Sequence, residues 1–123
     1  MIVRCKRIIE SGAEVTKSQN LTIGKDYVVL CAWKSEGYGA AYRVIGDSDE
    51  DQETPFIVMA ANFDTMDMKI PSNWVMKSEC GDLTVGPELW LRSEFWDNYF
   101  DYDQKAREEF KKERDIILTE CGK

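Results

Sequence analysis

The sequence predicts an α+β, mainly β fold: about five short antiparallel strands forming a small barrel or sandwich, followed by a C-terminal helical segment. Three observations carry this expectation. Short apolar runs rich in β-branched and aromatic residues recur between turn signals as far as Lys77. From Glu94 onward the apolar residues change to helical spacing. The chain has 123 residues, 43% of them apolar, enough for one domain with a real core. It is read as a single domain over 1–123, with a barrel at 1–80 and a helical extension at 87–121 packed on it.

Residues 2–9 form the first expected strand, because Val3 and Cys5 alternate with Arg4 and Lys6. Glu10 to Asn20 is polar, contains a glycine, and is expected to be a long loop. Tyr27-Val28-Val29-Leu30-Cys31-Ala32-Trp33 is almost continuously apolar, too short for most helices, and reads as a central strand. Gly37 and Gly39 supply a turn, and Ala41 to Ile45 is the next strand, closed by Gly46. Asp47 to Glu53 is a charged loop. Pro55, whose missing N–H is tolerated at a strand start, opens a strand from Phe56 to Ala60. A fifth strand is expected at Asn73 to Lys77, after Pro71.

Glu94 to Tyr102 places Phe95, Trp96, Tyr99 and Phe100 on one side of a helix, with Trp96 and Phe100 expected inside and Asp97, Asp101 and Tyr102 outside. Asp101 or Asp103 caps a second helix from about Gln104 to Glu120. Ala106, Phe110 and Ile117 form its apolar stripe, and Gly122 stops it. Asp103–Arg107 and Glu108–Lys112 have the spacing of favourable pairs.

Composition excludes several function classes. Sixteen basic against 23 acidic residues give a net charge of −7, the wrong sign for holding nucleic acid or an anionic membrane. The N-terminus has no apolar signal region and no run approaches a membrane span, so a cytoplasmic location is expected. The chain has no histidine, which removes Ser-His-Asp and Cys-His chemistry and the mixed zinc sites. The four cysteines lie far apart without a CxxC spacing, and Cys5 and Cys31 read as buried thiols. Asp47, Asp49 and Asp51 imitate the start of a calcium loop, but Gln52 and Val58 stand where Gly and Glu are required. No catalytic residue, metal site or cofactor is expected.

Two features remain as binding candidates. Asp47, Asp49, Glu50, Asp51 and Glu53 place five carboxylates in seven residues, and a basic partner would relieve their mutual repulsion. A solvated loop tip is the plainer reading. The aromatic segment around Trp96 is interleaved with Asp97, Asp101 and Tyr102, a composition that suits either an interface anchor or simple packing on the sheet.

Leu21-Thr22-Ile23-Gly24-Lys25-Asp26-Tyr27-Val28-Val29, followed by Ala41-Tyr42-Arg43-Val44-Ile45-Gly46-Asp47, resembles the opening of small bacterial and phage SH3-like barrel domains. Pro55-Phe56 to Phe63-Asp64 and Met66-Asp67 fit the next part of that pattern, so the likeness covers residues 1–67. The Ala-Leu-Tyr-Asp-Tyr and Trp-Trp elements of the eukaryotic ligand groove are missing, so polyproline binding is not expected. An acidic barrel of this kind with an added helix also resembles immunity proteins of toxin systems such as contact-dependent inhibition. That resemblance implies binding to a cognate basic toxin, such as a nuclease, and occlusion of its active site without chemistry by this chain. The alternative it leaves open is a phage or bacterial SH3-like adaptor with no toxin partner.

Overall fold

The computed structural model describes residues 1–37 and 39–122. The strands are β1 (Ile2–Cys5), β2 (Ile8–Glu10), β3 (Ala13–Val15), β4 (Asp26–Ser35), β5 (Gly39–Val44), β6 (Phe56–Met59), β7 (Phe63–Asp67), β8 (Trp74–Glu79) and β9 (Asp82–Pro87). Helices α1 (Phe95–Phe100) and α2 (Gln104–Glu120) follow, and 3-10 turns lie at Ala60–Asn62 and Glu88–Leu91. The fold is mainly β, with antiparallel pairing throughout and a C-terminal helix.

β4 organises everything else. One edge pairs with β5, while the other pairs with β1 near Val28 and with β9 near Trp33. β6 extends the sheet beyond β5, β7 beyond β1, and β8 beyond β9. The apolar run predicted this central position because β4 is covered on both faces. Tyr27 and Val29 point into a core with Val3, Cys5, Ile8, Val44, Val58 and Phe63. Leu30 and Cys31 point the other way, into a second core with Trp90, Phe95, Tyr99, Ala106, Phe110 and Ile117. Burial of each large side chain there contributes about 1.5–3 kcal/mol.

Leu30 belongs to none of the three ladders of β4, because the register with β5 shifts between Val29 and Cys31. Its carbonyl accepts the Trp74 indole N–H at 3.0 Å. β9 comes very close to β4 on that side. A Cβ on Gly86 would lie 2.7 Å from the Cys31 Cβ, so only glycine fits there.

The second helix forms as its sequence requires. Asp103 is the cap, its carboxylate accepting the Ala106 N–H at 3.0 Å, and Ala106, Phe110 and Ile117 are buried. Arg107 does not use the expected pairing geometry; it donates to the Tyr99 carbonyl at 3.3 Å and stacks on that ring.

Several expectations are corrected. The sheet is open, not a closed barrel: β6 and β7 stand at opposite ends of the strand order, joined by the turn at Ala60–Asn62. The strand expected at 2–9 breaks after Cys5, where the Lys6 and Arg7 N–H groups both donate to the Asn62 carbonyl. The loop expected from Glu10 to Asn20 contains β3, paired with β2 through a turn whose Ser11 and Gly12 both have positive φ, at 52° and 79°. β8 is not the last strand, since β9 returns along it and the sheet runs on to Pro87. Cys5 and Cys31 are buried thiols as expected, Cys121 is half-buried, and Cys80 is exposed at the β8–β9 turn. Tyr38, part of the expected turn before β5, lies outside the described residues. Among the described residues no helix is long and apolar enough to cross a membrane.

Candidate protein-binding face

The loop between β5 and β6 carries the five carboxylates singled out in the sequence, and the fold assigns them different tasks. Asp47 is structural. Its carboxylate accepts from Lys25 Nζ at 2.5 Å, Thr22 Oγ1 at 2.7 Å and the Tyr27 hydroxyl at 3.0 Å. Partial burial acts to raise the Asp47 pKa, but these bonds outweigh it and hold the carboxyl below its usual range. Tyr27 is pushed up to about 12, first by desolvation and further by the neighbouring Asp47.

Asp49 closes the loop on itself, accepting the Glu53 N–H at 3.2 Å and the Thr54 N–H at 2.7 Å. Glu53 pairs with Lys111 of α2 at 2.9 Å, and that hydrogen bond lowers its pKa. The Glu53 carbonyl accepts the Tyr99 hydroxyl, and Arg114 donates to the Gln52 carbonyl at 2.8 Å. The repulsion among these carboxylates is therefore met largely from within, by Lys25, Lys111 and Arg114. Glu50 and Asp51 remain exposed at the tip.

Beside the tip lies a depression of about 480 Å³ whose lining includes Asn20, Ser48, Asp49, Glu50, Asp51 and Phe56. No lysine or arginine lines it. Its chemistry suits an incoming cation: two exposed carboxylates, a third fixed by backbone bonds, and an aromatic wall.

The other expected binding residues sit on α1 and just after it. Asp97 and Asp101 are exposed four residues apart, on one side of the helix. Tyr102 is 77% exposed and has a φ of 63°, a left-handed conformation that costs a bulky residue on the order of 1–3 kcal/mol. Arg107 lies 4.8 Å from its ring centroid. The contact between Tyr99 and Glu53 brings α1 against the Glu53 end of the loop, whereas Asp47 is held by the segment leading into β4.

The aromatic assignment on α1 is corrected. Phe95 and Tyr99 are buried, while Trp96 is half-buried and Phe100 is 43% exposed. Both pairs have i, i+4 spacing, so periodicity alone cannot choose between them. Phe110 decides: its ring centroid lies 4.6 Å from that of Tyr99, which turns Trp96 and Phe100 toward Arg43 at the sheet margin. Arg43, Lys111 and Arg114 had no local signal in the sequence, because each matters through partners distant along the chain. No protein-family model, curated protein or solved structure matches the chain.

Proposed function

We propose that this protein is an immunity protein, which binds a cognate basic toxin domain and neutralises it by occluding the toxin's active site. The depression beside the loop tip, lined by Asp49, Glu50 and Asp51 with no basic side chain, is the observation that carries the reading. A lysine or arginine from the partner would enter it, and the net charge of −7 would speed the encounter. Tyr102, exposed and held in an unfavourable backbone conformation, would add an aromatic anchor beside Asp97 and Asp101. Neutralisation of this kind needs no chemistry from the chain, and the protein would act in the cytoplasm of the cell it protects.

Charge reversal tests the mechanism at Glu50 and Asp51, because Asp47 and Asp49 hold the loop together and their loss would confound the result. The partner is sought as the product of the adjacent gene, co-expressed with the tagged chain and eluted stepwise with salt. One stoichiometric basic protein supports the reading, and its association with the Glu50→Lys/Asp51→Lys variant should be slower and less dependent on salt. A clean eluate removes the neutralising role. An unchanged association rate removes the loop tip from the interface.

The strand path favours a second reading, an SH3-like adaptor with no toxin partner. β1, β4, β5, β6 and β7 succeed one another around one core, and β7 returns to pair with β1, as a barrel-derived domain would. Weak binding to several proteins, insensitive to charge at the loop tip, would favour it.

A further inference from the structure

A separate surface lies on the outer face of the sheet, beyond the margin of α1. Cross-strand partners project to the same face. The pairs Trp33–Ala41 and Ala41–Met59, with Cys31–Arg43 and Arg43–Ile57, therefore place Trp33, Arg43, Ile57 and Met59 together on the side that α1 partly covers. Ile57 is 51% and Met59 45% exposed, and Phe100 of α1, which faces Arg43, is 43% exposed. β6 is an end strand of the sheet, so nothing in the strand order covers this margin.

Arg43 stands within this apolar surface. Its guanidinium carbon lies 4.0 Å from the Trp96 ring centroid, 5.7 Å from Trp33 and 5.9 Å from Phe100. Among the described residues it has no carboxylate in ion-pair range and no hydrogen-bond acceptor. Desolvation lowers its pKa, while the nearby Cys31 acts weakly the other way. In a chain with seven more negative than positive charges, a half-buried arginine held among aromatic rings without a counter-ion is out of keeping with the rest of the molecule. Its nitrogens are not among the fully buried polar atoms that lack partners, so they keep some contact with solvent.

We propose that Arg43, with Trp33, Trp96, Phe100, Ile57 and Met59, forms a docking site for a partner protein's segment that carries one carboxylate between apolar side chains. The carboxylate accepts from the guanidinium fork, and the flanking apolar groups cover Ile57 and Met59. Arginine and tryptophan together are the residue types that dominate interface energetics. The site shares no residue with the depression at the loop tip and does not depend on the partner being a toxin.

The test uses the 15N-labelled full chain and two synthetic probes, acetyl-Leu-Val-Glu-Val-Leu-amide and the same peptide with Gln in place of Glu. The expected result is saturable movement of the Arg43 Nε–H, the Trp33 and Trp96 indole N–H groups and the Ile57 and Met59 amides. The Gln peptide and the Arg43→Gln variant should each bind about tenfold more weakly. Met59→Asp, on an exposed side chain where folding is not at stake, should weaken the Glu peptide more than the Gln peptide. Equal affinity for both peptides, an equal loss in Met59→Asp, or movement confined to other surfaces would overturn the proposal. So would concentration-dependent shifts at these residues without peptide, which would mean that a second copy of the chain occupies the face.

Discussion

Trp74 joins two parts of the fold with one hydrogen bond, from its indole N–H to the carbonyl of Leu30, the residue where the β4–β5 register shifts. Trp74→Phe removes the donor and with it this hydrogen bond. A loss of about 1–3 kcal/mol in urea unfolding is expected. Asp47 makes a prediction in pH. Its folded pKa is below the ordinary value of 3.8, so as acid is added the unfolded chain takes up this proton first. The stability it contributes is present above that ordinary value and is lost as pH falls through the lower folded value. Asp47→Asn should be less stable than the parent at neutral pH, and should lose less of its remaining stability between about pH 4 and pH 2. An identical acid slope in parent and variant would show that Asp47 is not responsible. The sequence presented Asp47 to Glu53 as one crowded anionic stretch, because the cations that answer it are encoded far away, at Lys25, Lys111 and Arg114.

At the scale of elements, α2 was the most legible. The stripe of Ala106, Phe110 and Ile117 and the end near Glu120 follow from local periodicity, while the structure selects Asp103 over Asp101 as the cap. Asp103→Ala should cost about 0.5–2 kcal/mol of stability, and Asp101→Ala much less, since Asp101 caps no helix start. Similar losses in both variants, read from thermal melts, would refute the assignment. The central strand was legible for a related reason: a strand covered on both faces reads as an unbroken apolar run. β7 and β9 were not. β7 buries only Phe63, so it has little alternation to detect, and its pairing with β1 is a matter of backbone hydrogen bonds. β9 ends in Gly86-Pro87, letters that suggest a turn, yet Gly86 is needed for the close approach to Cys31. The β2–β3 hairpin did carry a turn signal in Ser11-Gly12, but three-residue strands are too short for a period to emerge.

For the whole molecule, the strands precede the helices along the chain, but the two depend on each other. The outer core is built by α1, α2 and the turn at Glu88–Leu91, yet Leu30 and Cys31 of β4 complete it. The inner core takes Tyr27 and Val29 from the same strand. Ten residues of one strand thus separate and join two hydrophobic interiors. Opening either interior withdraws support from the backbone of the other, so the molecule should unfold as a single cooperative unit. Amide hydrogen exchange can detect this. Phe110→Ala, made in the outer core, should speed exchange at Val3 of β1 by about as much as at Ile117 of α2, although Val3 lies in the other core. Acceleration confined to the helices would mean that they open alone, and that β4 insulates the two interiors instead of coupling them.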